Sequence, residues 1–156
     1  MRIRDYFLLF ILLLCDVITK LYVVLKLELG QKIEVIKDFF YITPAHNTGA
    51  AWSMLAGKIS FFIIVAGIAV LIIAIYFGTY RVKNGLQRFA LLLVLAGTVG
   101  NMIDRIAYGY VIDFLDFYIF GYDFPIFNVA DSFLTVGVVL IILDMFIFHK
   151  EQYGEH

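Results

Sequence analysis

From Ile59 to Tyr80 the chain runs without a single charged side chain, between Lys58 and Arg81. A helix that crosses ~30 Å of hydrocarbon needs about 20 such residues, so this segment alone points to a membrane. Three further runs follow the same logic. One extends from Tyr6 to about Leu25 and is interrupted by Asp16 and Lys20; one leaves Arg88 at Phe89 and reaches the Asp104-Arg105 pair, ending near residue 106; one covers Asn128 to Phe148, with Asp131 near its start and Asp144 near its end. Composition agrees: 63% of the residues are hydrophobic and 16% charged, too few polar side chains to surface a soluble globule. The fold expected is an all-α membrane protein of four transmembrane helices. The net charge of −1 gives no reason to look for nucleic acid, and the lone Cys15 forbids an intrachain disulfide.

Arg2, Arg4 and the apolar run behind them have the outline of a secretory signal, but no small-x-small cleavage site follows, and Leu14 is too bulky for Cys15 to be a lipobox cysteine. The segment therefore reads as a retained first helix. Four spans place both termini on one side. Arg2, Arg4, Arg81, Lys83, Arg88 and Lys150 lie at the ends on that side, against four lysines spread over Lys26 to Lys58, so both termini are expected to be cytoplasmic. The long external connection, residues 27–57, contains a partly alternating stretch from Gln31 to Lys37 and an aromatic, β-branched stretch from Phe39 to Thr43. Both favour strands, and a small extracytoplasmic sheet ending at Pro44 is expected.

Helical rise, about 1.5 Å per residue, places the interrupting polar groups at similar depths. From the presumed inner boundaries, Asp16 and Lys20 stand roughly 18 and 24 Å up the first span, Asn101 and Asp104 roughly 20 and 24 Å up the third, and Asp131 roughly 27 Å up the fourth. Charges at such depths are costly and usually functional, although Asp16 and Lys20, spaced i, i+4, could simply neutralise each other. Asp113 falls at or beyond the outer surface; Asp116 and Asp123 read as solvated.

None of the three histidines lies deep in a span, and no H-E-x-x-H motif exists. A Cys15–His46 pair, a Ser-Lys dyad drawn from Ser53 or Ser132 with Lys20 or Lys58, and a carboxylate cluster holding Mg²⁺ against a lipid phosphate are the competing chemistries. The D-G-x-x-A-R signature of membrane alcohol phosphotransferases is absent. Two facing aspartates suit a different reaction: they share one proton, so that one activates water while the other polarises a carbonyl. Asp113 and Asp131 flank the external connection and form the natural pair.

Five boxes in order carry a resemblance: Asp16-Val17-Ile18-Thr19-Lys20; Asn47-Thr48-Gly49-Ala50-Ala51-Trp52-Ser53; Gly97 through Arg105; Val111-Ile112-Asp113-Phe114; and Phe127-Asn128-Val129-Ala130-Asp131-Ser132. The whole chain resembles the bacterial lipoprotein signal peptidases, the type II signal peptidases. That resemblance implies one peptidase domain over residues 1–156 in the bacterial cytoplasmic membrane, with its active site near the outer leaflet. It implies an aspartic endopeptidase that cleaves prolipoproteins before a diacylglyceryl-modified cysteine, needs neither cofactor nor metal, and is blocked by peptide mimics such as globomycin. Carried over box by box, Asp113 and Asp131 are catalytic; Asn47, Gly49, Asn101, Arg105, Asn128 and Ala130 line the substrate site; Asp16, Lys20 and Asp104 support it. Membrane lipids are partners, and a monomer is the default. Several roles stay open on the residues alone. Asn128 could cap the fourth helix; Arg105 could hold a substrate carbonyl or fix Asp104; Gly97 and Gly100 could serve helix packing; and the aromatic run from Phe114 to Phe124 could be a flap over the site or an interfacial belt. Without the boxes, the alternatives are a small subunit of a proton-coupled transporter, which would need acidic groups continuing across the bilayer, and a metal-dependent lipid phosphatase, which a chelator would inactivate.

Overall fold

The computed structural model describes residues 1–50, 52, 54–80, 82 and 84–152, with the side chains of 147–152 left aside. Ser53, Arg81, Lys83 and His156, and the side chains of His149 and Lys150, lie outside the described residues. Among the described residues four helices are long and apolar enough to cross a membrane: α1 (Ile3–Lys26), α2 (Ile59–Thr79), α3 (Gly85–Tyr108) and α4 (Val129–Gln152, of which Val129–Phe146 is the candidate span). Four strands, β1 (Ile33–Ile36), β2 (Phe40–Asn47), β3 (Val111–Ile119) and β4 (Tyr122–Asp123), form one antiparallel sheet in chain order.

The third span is longer than its apolar run because its ends are fixed by capping rather than by hydrophobicity. Asn84 accepts the Leu86 N–H at the start of α3, and Gly109, at φ 78°, closes the helix in the left-handed conformation. α3 is the central helix and packs against the other three; Ala90, Leu92, Leu93 and Ala96 are buried along it, whereas α2 keeps most of its surface free for lipid. The most extensive helix contact is α3 with α4. A Cβ on Gly97 would stand 2.3 Å from the Ala130 carbonyl oxygen, and one on Gly100 would stand 2.6 Å from Asp16 Oδ2. Small residues here let backbone and carboxylate come close, which settles the packing role of both glycines.

The sheet corrects two expectations. β2 does not stop at Pro44 but continues to Asn47. Ile42 pairs with Leu115 and Ala45 with Asp113, so β2 carries one extra residue at this point, a bulge that contains Pro44. A proline without an N–H is tolerated where the ladder is already broken. Its carbonyl is used as well, accepting the Gly30 N–H at 2.9 Å. Asp116 is not solvated either: it is 3% exposed, accepts the Thr43 hydroxyl at 2.7 Å and pairs with Lys32 at 3.2 Å. Strand pairing of β3 with β2 folds it inward, while Asp123 on β4 stays exposed. Phe114 is buried, and Phe117 stacks on Phe40 and Phe127. Phe120 (φ 52°) and Gly121 (φ 80°) form the exposed β3–β4 turn, and Ile119, Tyr122 and Phe124 beside it are exposed as well.

Candidate active site

Where the sheet meets the helices, four elements deliver their polar side chains to one place. α4 begins with a capping box: Asn128 Oδ1 accepts the Asp131 N–H at 2.9 Å, and Asp131 Oδ2 accepts the Asn128 N–H at 3.1 Å. The capping reading of Asn128 therefore holds, and its side-chain amide does more. It donates to Asp113 Oδ1 at 2.7 Å and to Asn101 Oδ1 at 3.0 Å. Asn101 in turn donates to Asp131 Oδ1 at 2.7 Å, and Asn47, at the end of β2, donates to Asp113 Oδ2 at 2.9 Å. Asp113 and Asp131 are thus held by one fully buried asparagine, one through its side chain and the other through its main chain.

Beneath this lies a cluster of buried charge. Lys20 Nζ stands 2.8 Å from both Asp16 Oδ2 and Asp104 Oδ2 and donates to Asn101 Oδ1 at 3.2 Å, so three oxygens enclose its ammonium. Asp16 Oδ1 accepts the Ala130 N–H at 3.0 Å, a carboxylate at the positive end of α4, and Asp104 Oδ2 accepts the Ile112 N–H at 3.2 Å. The cluster ties α1, α3, α4 and β3 together, and Asn101 connects it to the aspartates.

Among the described residues Arg105 is not paired with Asp104. Its guanidinium donates to the Gly49 carbonyl at 2.9 Å and lies over the Phe62 ring at 4.8 Å, fixing the 48–57 loop against α3 and α2. Gly49 N–H returns to Asn47 Oδ1 at 2.9 Å, which orients the amide that reaches Asp113. Lys20 has no donor left for a serine, and Ser132 donates to the Asn128 carbonyl at 3.1 Å, so the Ser-Lys alternative finds no geometry in that pair.

Two cavities meet at the aspartates. The larger, about 590 Å³, opens between the helices and is lined by Asp131, Asn101, Arg105, Gly49, Leu134 and Val136 among others. The smaller, about 480 Å³, lies under the sheet with Asp113, Asp116, Lys32 and Thr43 on its walls. Asn47, Trp52, Phe124, Pro125 and Ile126 border both. Trp52 Nε1 donates to the Tyr122 hydroxyl at 3.2 Å, so the 48–57 loop and the β3–β4 hairpin touch over this junction. Of the residues expected to line a substrate site, Asn47, Gly49, Asn101 and Arg105 do face a cavity. Asn128 and Ala130 are fully buried and stand behind the aspartates, because the start of α4 turns them toward α3 and Asp16.

Asp113 lies outside the spans, on β3. Burial is the main reason its carboxyl is pushed up to about 7, and the negative charge of Asp131 adds to it; the amides of Asn47 and Asn128 pull the other way. It therefore keeps its proton at far higher pH than a free carboxyl does, while a second carboxylate stands beside it. Such a pair can donate one proton and accept another without a metal. The sequence reading missed Asp116 as a member of this region, and no local signal marked it: its partners lie 73 and 84 positions away in the chain.

Comparison with known proteins gives one answer. Residues 8–147 match the family model described as signal peptidase (SPase) II. The proteins named lipoprotein signal peptidase from Staphylococcus aureus strains JH9 and Newman are each 46% identical over 128 residues, 82% of this chain and 78% of theirs. Two solved structures, described as a bacterial membrane enzyme by the in meso method at 2.3 and 1.9 Å resolution, superpose with TM-scores of 0.88 and 0.84 at 38% and 40% identity. The first covers 98% of this chain and 92% of its own, the second 93% and 94%.

Proposed function

Because the chain belongs to the signal peptidase II family, we propose that it removes signal peptides from prolipoproteins as an aspartic endopeptidase, cutting before a diacylglyceryl-modified cysteine. The observation that carries this reading is the suspension of Asp113 and Asp131 from the single Asn128 at the junction of two cavities. Asp113 supplies the shared proton and Asp131 takes one from water. The water adds to the scissile carbonyl as Asp113 protonates its oxygen; collapse of the tetrahedral intermediate expels the cysteine nitrogen, which receives the proton held by Asp131, while one of the two hydroxyls returns its proton to Asp113. Asn47, Asn101 and Asn128 keep both carboxyl groups in register, and Arg105 holds Gly49 so that Asn47 keeps its aim. The tether of Asp16, Lys20 and Asp104 carries no step of its own.

The orientation follows from the task. The sheet end faces outward, both termini are cytoplasmic, and the junction lies near the outer leaflet. There the substrate's own signal helix and acyl chains hold the scissile bond in place, which supplies much of the rate. The apolar helix-side cavity is where a peptide mimic such as globomycin binds. One domain, acting as a monomer and without a cofactor, suffices.

Purified enzyme in EDTA, given a diacylglyceryl-modified prolipoprotein and read by gel shift, tests the reading. Wild type and Asp38→Asn, a substitution in an exposed turn, cleave; Asp113→Asn and Asp131→Asn do not. Full activity in either dyad variant, or loss of wild-type cleavage on adding the chelator, removes the mechanism. The transporter reading returns if folded wild type cleaves nothing.

A further inference from the structure

Asp131 faces the cavity between the helices and Asp113 the cavity under the sheet, so a peptide whose bond lies between them must enter both. The two differ in chemistry: Leu134 and Val136 help line the first, whereas Lys32, Thr43 and Asp116 help line the second. We propose that the sheet-side cavity holds the substrate residues that follow the cleaved bond, and that Asp116 accepts a backbone N–H from them. This rests on the peptidase reading and adds to it a subsite and a residue that selects for its occupant.

Asp116 carries the argument. It is buried, and one of its oxygens, Oδ2, is already engaged by the Thr43 hydroxyl and the Lys32 ammonium. Lys32 itself is confined, 4.1 Å from the ring centres of both Tyr41 and Tyr118 and bonded to the Tyr118 hydroxyl at 2.9 Å. The other oxygen, Oδ1, is buried and has no hydrogen-bond partner among the described residues. A buried carboxylate oxygen left without a donor is costly, and folds seldom keep one that nothing occupies. A peptide backbone brings the missing N–H. Asp116 is three residues along β3 from Asp113, and three residues of extended chain span roughly 10 Å. The amide that reaches it therefore belongs to the second or third residue after the modified cysteine. Lys32 pairs with Asp116 but leaves Oδ1 for that amide.

Two synthetic substrates test this, both carrying the diacylglyceryl cysteine: one ends a single residue after it, the other four residues later. A third has the longer sequence with the second and third amides beyond the cysteine N-methylated. Wild type is expected to favour the longer over the shorter peptide in kcat/KM by about tenfold, the scale of one charge-assisted hydrogen bond. N-methylation abolishes that advantage. In Asp116→Asn the ratio collapses toward one and N-methylation has no further effect; Lys32→Met, which leaves Oδ1 in place, keeps part of the ratio. Because each result is a ratio within one protein, a variant that is merely less well folded does not mimic it. An unchanged ratio in Asp116→Asn, or an equal N-methylation penalty in variant and wild type, overturns the subsite while the peptidase stands. Failure of wild type to cleave any of the three overturns both.

Discussion

The molecule contains two assemblies of carboxylates joined through Asn101, one wholly buried and one partly open, and they are built on opposite plans. In the tether, Asp16 and Asp104 close on Lys20, and the ammonium has no proton to spare. In the dyad, Asp113 and Asp131 receive hydrogen bonds from neutral amides, neither forms an ion pair among the described residues, and both border open space. The first arrangement spends charge on holding helices together. The second keeps charge available, because a carboxyl surrounded by amides can still lose or gain a proton. The same residue type thus serves cohesion in one place and, on the proposed function, chemistry in the other, and the difference lies in whether a cation pairs with it directly.

Substitutions should separate the two. The largest effect on rate is expected at the dyad: Asp131→Asn lowers kcat by at least about 10³-fold while the protein still elutes as a folded species, and a variant that kept a tenth of wild-type activity would break the contrast. The largest effect on stability is expected at the tether. Lys20→Met leaves Asp16 and Asp104 buried without a counter-charge and should cost about 3–5 kcal/mol, seen as a lost or strongly lowered thermal transition in detergent. Next comes Gly97→Ala. The added methyl meets a backbone oxygen, so α4 has to move, at a cost of about 1–3 kcal/mol and with a fall in activity larger than the stability loss explains, since Asp131 moves with the helix.

The smallest effect is a slope with pH. Asp113 has its folded pKa raised from 3.8 to about 7, so the folded state binds the proton more tightly than the unfolded chain does. Its contribution to stability is fully present below about pH 4 and is lost as pH rises to about 7. Asp113→Asn should flatten that part of the stability curve. On the proposed mechanism, wild-type cleavage also declines as pH rises through about 7, where the proton donated to the carbonyl is lost. A rate that climbed steadily from pH 6 to 9 would assign the shared proton elsewhere.

How much of this was legible in the sequence depends on the reach of each interaction. The four spans could be read because twenty apolar residues are a local signal, and the ends of α3 could be corrected only by the Asn84 and Gly109 caps. The i, i+4 spacing of Asp16 and Lys20 announced half of the tether; Asp104, the other half, comes from α3. The grouping of Asn47, Asn101, Asn128 and the two aspartates was available from the resemblance, not from spacing, since their contacts bridge 15 to 66 positions. Asp116 was misread because a charge in a connection looks solvated until a strand from elsewhere pairs with it. The run of β2 past Pro44 was hidden for a similar reason: a bulge makes proline harmless, and a bulge is a property of two strands.

The hanging of both aspartates on Asn128 has a consequence for the timing of biogenesis. Asp113, Asn128 and Asp131 all follow α3, whereas the elements before α2 contribute Asp16, Lys20 and Asn47. A nascent chain that has inserted α1 and α2 therefore owns an anchor and no protease. Until Asn128 has left the ribosome and α4 has seated against α3, nothing aligns the two acids of the proposed pair, so the site is assembled only after all four helices are in place.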